Sequence, residues 1–273
     1  MNKKILFLDI DGTLTIPGEN QPPASALEAI RKAQANGHKA VLCTGRNYAM
    51  LKPLLAYPFD GFVGSAGGYI KCDGKVLYDQ PLPKDVAELT RKLFKKHDIF
   101  ATVECLEATY CDSSLDALLK GLPDGNSELE RWRRAINEDL GILPIEQYDG
   151  APIYKFIIMY RTDDQLDELR EKVSGTFDFV IQEDVCGVRN GEMINRAFDK
   201  GKGVQKVCDF YGVPVEDAIG FGDSMNDISM MEAVGTSVCM ENGAAALKEM
   251  SDYICPKVDE DGLARAFGHL GLV

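Results

Sequence analysis

Strand-length apolar runs that end in turn residues alternate with helical stretches at both ends of this chain, and this alternation restricts the fold more than any other feature. Residues 4–10 read as a buried strand, and residues 25–28 (SALE) as a capping box opening a helix that ends near Gly37. A second strand spans 39–43, followed by Thr44-Gly45-Arg46 and a helix through Leu55, then a short third strand over 61–65. YIKCDGKVLYD reads as a hairpin turning at Asp73-Gly74. From Lys200 the rhythm returns: a helix to Tyr211, the strand AIGFGD, a helix over 228–234, the strand TSVCM, a helix over 244–250, the strand DYIC and a last helix. Strands without polar alternation, separated by helices, imply a parallel sheet covered on both faces.

The middle of the chain differs. After Pro81 and Pro83 come a helix over 85–96, a strand region over 101–111, and helical stretches near 115–119 and 127–140. IYKFIIMY, a charged helix over 163–173 and a strand over 177–182 follow. This reads as an α+β module with an antiparallel sheet, inserted into the α/β core. The expected division is a core of residues 1–82 and 188–273 and an insert of residues 83–187, with the Gly-rich GVRNGEM as the returning hinge.

At 273 residues, 45% hydrophobic and 27% charged, the chain reads as a soluble globular protein. A net charge of −13 argues against a nucleic-acid partner, since phosphate backbones are held by clustered Lys and Arg. The N-terminal apolar run is broken by Asp9 and Asp11, and no apolar stretch approaches membrane-spanning length, so neither a signal peptide nor a membrane partner is expected. The eight cysteines form no CxxC pair and sit mostly in apolar runs, as reduced thiols in a cytoplasmic protein would. No obligate protein partner is evident.

ILFLDIDGTLT runs from the first strand straight into Asp9 and Asp11, which at that spacing point to one side. Two such charges about 4 Å apart repel by about 4 kcal/mol at an effective dielectric near 20. Thr44-Gly45-Arg46, Lys200 at a helix start, and Asp223 and Asp227 in GFGDSMND also fall at ends of core strands, which in an open α/β sheet share one crevice. Acids with no nearby His or Cys suit Mg²⁺, which offsets their repulsion. Lys200 and the Thr44 hydroxyl then suit an anionic group bridging to that ion. The bland readings are a solvated turn for Asp9 and Asp11, helix capping for Asp223 and Asp227, and a structural ion pair for Arg46. In the insert, ERWRRAI reads as an amphipathic helix with Trp132 packed and its arginines solvated, although these arginines and Glu192 could face a substrate.

DIDGT (9–13), CTGR (43–46), DKGKGV (199–204) and GDSMNDISMM (222–231) resemble, in order, the four motifs of the haloacid dehalogenase superfamily of phosphohydrolases. The large insert and the tail VDEDGLARAF resemble the Cof-type members with a type IIB α/β cap. The resemblance implies a Rossmann-like, doubly wound parallel core and a Mg²⁺-dependent phosphatase acting on a small phosphorylated metabolite such as a sugar phosphate. It implies Asp9 as nucleophile and Asp11 as general acid and base. Thr44, Gly45, Arg46, Lys200 and Asn226 would surround the phosphoryl group or substrate. Asp9, Asp11 (through its carbonyl), Asp223 and Asp227 would hold the metal. Lys200 is preferred to Lys202 because the pattern is Lys-Gly, any residue, small, aliphatic. One departure is Ala66 before Gly67, where the family usually has Asn-Gly. A phosphosugar mutase, and from another class a receiver-like phospho-acceptor, are the alternatives.

Overall fold

In the computed structural model, residues 3–17, 19–112, 142–181 and 187–273 are described. The strand β1 (Ile5–Leu8) lies in the middle of an eight-stranded sheet, and all four of its side chains are buried. Such a strand cannot alternate polar and apolar, because helices cover both faces. Its neighbours are β2 (Lys39–Cys43) on one side and β12 (Ala218–Gly222) on the other, both parallel to it. Beyond β2 lie β3 (Gly61–Gly64, parallel) and the antiparallel hairpin β4 (Tyr69–Cys72) and β5 (Lys75–Asp79). Beyond β12 lie β13 (Thr236–Met240) and β14 (Tyr253–Cys255), both parallel. The strand order thus reverses between β1 and β12, the switch point at which such sheets bind ligands.

The chain divides into two units. The first comprises Met1–Arg46, Leu51–Asp79 and Phe198–Val273; the second comprises Asn47–Met50 and Gln80–Ala197. Within the first, α1 (Ala24–Ala35) starts at Pro23 without a side-chain cap. The expected capping box at Ser25 does not form, because the Ser25 hydroxyl donates instead to Asp261 Oδ1 at 2.5 Å. The single helix expected through Leu55 is two pieces, α2 (Tyr48–Leu51) and a 3₁₀ turn (Leu54–Ala56), separated around Pro53, whose ring lacks the N–H a continuing helix needs.

The second unit carries a six-stranded sheet ordered β10-β11-β9-β6-β7-β8. These are β6 (Phe100–Cys105), β7 (Thr109–Cys111), β8 (Ile142–Pro144), β9 (Ile153–Tyr160), β10 (Phe177–Ile181) and β11 (Arg189–Asn195). All pairs are antiparallel except β7 with β8. The helices α3 (Lys84–Lys96) and α4 (Asp167–Val173) supply Leu93, Phe94 and Leu169 to an apolar cluster with Val103, Phe156, Ile158 and Met193.

Two placements differ from the sequence reading. GVRNGEM is not a hinge: residues 189–195 form β11, paired on both sides with β10 and β9, so the chain leaves the second unit at Ala197 and not near 187. Asn47–Met50 also joins the second unit, because the Asn47 amide donates to Cys105 O and Thr109 Oγ1 at 2.8 Å each and Ala49 N donates to Leu106 O. The helices expected near 115–119 and 127–140, with Trp132, lie outside the described residues.

Seven cysteines are buried free thiols, and Cys186 lies outside the described residues. Burial pushes Cys72, Cys105 and Cys255 up to about 12, which suits packing and not nucleophilic chemistry. Among the described residues no helix is long and apolar enough to cross a membrane.

Candidate active site

Asp9 follows directly on β1, and its backbone N–H donates to Phe221 O of β12, so the sheet itself fixes its position. Its carboxylate is buried, and Oδ1 accepts from Lys200 Nζ at 2.7 Å. Lys200 opens α5 (Lys200–Tyr211), whose N-cap Asp199 accepts from Lys202 N. The helix lies close enough to its neighbour that a Cβ on Gly201 would stand 2.2 Å from Ser229 O, so only glycine fits behind the buried lysine. Lys202 instead points outward and pairs with Asp199.

The same ammonium donates to Asp227 Oδ1 at 2.5 Å and to Asn226 Oδ1 at 3.2 Å. Asp227 Oδ2 accepts from the backbone N–H groups of Asp223 and Ser224, closing the turn after β12. The capping that the spacing allowed is therefore real, and it also seats Lys200. Asp223 is held by the Thr13 hydroxyl at 3.3 Å. One cation thus stands among three acids. Burial alone would lower Lys200, but Asp227 and Asp9 outweigh it and hold the ammonium above its ordinary value. Burial and the charge of Asp227 raise Asp9 well above the carboxylate range despite Lys200, and raise Asp223 to about 7.

Asp11 is turned elsewhere. Its two carboxylate oxygens accept from Arg46, Oδ2 from Nε at 2.9 Å and Oδ1 from Nη2 at 2.7 Å, and Arg46 also donates to Asn20 Oδ1. Of the two readings open for Arg46, substrate contact and structural ion pair, the ion pair has Asp11 as its partner. Thr44 Oγ1 accepts from Arg46 N at 3.1 Å, which leaves its own O–H to donate. Gly45 lies in the turn between them.

A family model described as haloacid dehalogenase-like hydrolase matches residues 6–267. The chain belongs to this family. Among relatives of this haloacid dehalogenase-like hydrolase is the 5-amino-6-(5-phospho-D-ribitylamino)uracil phosphatase YwtE of Bacillus subtilis (strain 168), 28% identical and covered 96% on both sides. The pyridoxal phosphate phosphatase YbhA of Escherichia coli (strain K12) is 24% identical over 99% of this chain and 100% of that protein. The solved structure of the subclass IIB sugar phosphatase BT4131 superposes with a TM-score of 0.77 at 23% identity, covering 99% of this chain and 100% of that one, a likeness of fold. Family and relatives together make this hydrolase a phosphatase.

Asp9, Asp223 and Asp227 each offer an oxygen within 4.8 Å of the others, so this triad could hold a metal ion. The donor set fits a hard divalent ion: it is all oxygen, partly dehydrated, and carries raised acids that a cation would relieve. The carboxylate of Asp11 is not part of this cluster. Two contacts of this hydrolase escaped sequence reading. Asn242, after β13, donates from Nδ2 to Gly12 O at 3.0 Å and reaches Asp223 Oδ2 at 3.4 Å; its signal was a turn residue at the carboxyl end of a core strand. Thr13, inside DIDGT, carries the hydrogen bond to Asp223. At the departure from the family pattern, Ser65 and Ala66 both take positive φ, a conformation that Asn adopts more readily than Ala.

Proposed function

We propose that the chain is a Mg²⁺-dependent phosphatase that hydrolyses small phosphomonoesters through a phosphoaspartate on Asp9. The observation that carries this reading is the Asp9 carboxylate, buried at the switch point with one oxygen on Lys200 and two further acids beside it. Lys200 holds Asp9 Oδ1, leaving Oδ2 to attack phosphorus in line; the P–O bond to the alcohol breaks as the Asp9–phosphorus bond forms. Asp11 gives the departing alkoxide its proton and then takes one from the water that hydrolyses the aspartyl phosphate, for which its carboxyl must turn away from Arg46. The Thr44 hydroxyl and the Lys200 ammonium hold phosphoryl oxygens and offset charge in the transition state. Mg²⁺ held by Asp9 and Asp223, with Asp227 behind them, would neutralise phosphoryl charge.

The relatives YwtE and YbhA are phosphatases of small phosphorylated metabolites, and the same substrate class suits this site. The second unit acts as the cap that selects the alcohol half of the substrate. Phosphate release from an aryl phosphate tests the reading. Activity should need Mg²⁺, vanish with EDTA and vanish in folded Asp9→Asn; full activity in that variant would refute it.

A further inference from the structure

Asp9 and Asp227 are buried, whereas Asp223 is only half-buried, so hydrogen bonds must hold it where packing does not. Its Oδ1 accepts from the Thr13 hydroxyl at 3.3 Å, and its backbone carbonyl accepts from Ala244 N at 2.8 Å. The turn after β13, residues 241–244, comes so close that a Cβ on Gly243 would stand 3.0 Å from that carbonyl. The other carboxylate oxygen, Oδ2, is the one that Asn242 Nδ2 reaches at 3.4 Å.

The same amide nitrogen donates to Gly12 O at 3.0 Å, across 230 residues of sequence. Gly12 N donates to Thr15 O at 2.8 Å, so both polar backbone atoms of Gly12 are fixed. A carboxamide carries two N–H donors, one for each of these acceptors. A single side chain therefore clasps the two stretches that supply the proposed ion's ligands, the run from Asp9 to Gly12 after β1 and Asp223 after β12. Asn242 has no other evident task. It is exposed, and it caps no helix: the next one (Ala245–Met250) has Ala244 at its N-cap and no side-chain cap.

We propose that Asn242 is a positioning residue that sets the ion selectivity of this site, by holding Gly12 and Asp223 at the separation a small divalent ion requires. This rests on the reading that the acidic triad binds Mg²⁺. Mg²⁺ demands near-ideal octahedral geometry with oxygens at about 2.0–2.1 Å, whereas Ca²⁺ accepts irregular geometry at about 2.3–2.6 Å. A clasp that fixes the gap between the two stretches favours the smaller ion. Without it Asp223 is free to move outward, which costs Mg²⁺ more than Ca²⁺. Asn242 acts through Gly12 and Asp223 and serves as no ligand itself, as partners that orient metal ligands do.

Calorimetric titration of Mg²⁺ and of Ca²⁺ into the metal-free, full-length protein tests this, with thermal melts in EDTA alongside. Asn242→Ala should raise the Kd for Mg²⁺ about tenfold. It should raise the Kd for Ca²⁺ by less than about threefold, so the preference for Mg²⁺ falls. Asn242→Ser, which keeps a short donor in the turn, should shift the preference the same way by a smaller factor. A merely structural Asn242 predicts a lower melting temperature in EDTA and equal changes for the two ions. An unchanged ratio of the two Kd values in both variants would overturn the proposal, as would a wild type that binds neither ion. A wild type that binds Mg²⁺ in preference to Ca²⁺ yet releases phosphate from no ester would instead overturn the phosphatase reading and leave the role of Asn242 standing.

Discussion

Arg46 grips Asp11 with two guanidinium hydrogen bonds, one to each carboxylate oxygen. A fork of this kind fixes the plane and position of the carboxyl, and lysine cannot reproduce it. It also occupies both oxygens that an acid or base must present to a substrate. In the proposed mechanism Arg46 is a positioning residue, setting where Asp11 rests and from where it turns.

The consequence is a leaving-group dependence. Arg46→Ala should reduce kcat for an alkyl phosphate, whose alkoxide needs a proton, by about tenfold, a part of the acid–base contribution. For an aryl phosphate, whose phenolate leaves unaided, the reduction should be smaller. Steady-state kinetics on the pair check this; equal losses would show that Arg46 acts on phosphate binding instead.

Lys200 is the sole side-chain cation hydrogen-bonded to Asp9 and Asp227 among the described residues. Lys200→Met keeps the stem and removes the charge, leaving buried acids without compensation. Loss of one member of a buried pair destabilises by about 3–5 kcal/mol. Urea unfolding of the metal-free variant should show a loss of that order together with lost activity.

Gly12 takes φ +92°, and a Cβ there would lie 2.2 Å from Asp223 Oδ2. Gly12→Ala should strain the backbone by about 1 kcal/mol and push Asp223 out of the acidic triad. Wild-type protein should gain thermal stability with Mg²⁺, about 2.7 kcal/mol at one hundred times Kd, while the variant should gain much less. Thermal melts with and without the ion measure both effects.

Glu104 predicts a pH dependence of stability. Burial is the chief cause of its rise from the ordinary 4.5 to about 7, with Lys155 opposing and Glu192 reinforcing. Below 4.5 the group is protonated in both states; between 4.5 and 7 the unfolded chain gives up a proton that the folded protein keeps. Stability therefore falls as pH rises through that window, by at most about 3 kcal/mol for this group. Urea midpoints should show Glu104→Gln without that part of the slope; a wild type and variant with parallel profiles would contradict it.

The core was legible because its strands are buried on both faces and so appear as unbroken apolar runs, and because its chemistry sits at their carboxyl ends, where Asp9 and Asp223 interrupt them. β11 was not legible. Its residues RNGEMIN look like a loop, and only pairing with strands on both sides makes them one. The partner of Arg46 was equally hidden, since no local spacing connects residue 46 with residue 11. Lys155, a lone charge inside IYKFIIMY, was visible as an oddity, but its meaning depends on Glu104 and Glu192, which only sheet register brings beside it.

The most direct measurement is chemical trapping of the aspartyl phosphate. The protein is quenched during turnover of an aryl phosphate, reduced with borohydride and mapped by peptide mass spectrometry. An acyl phosphate on Asp9 is reduced to homoserine, so the account predicts homoserine at position 9, dependent on substrate and missing when substrate is withheld. Steady turnover with an unmodified Asp9, or with the reduced residue at another position, would contradict it.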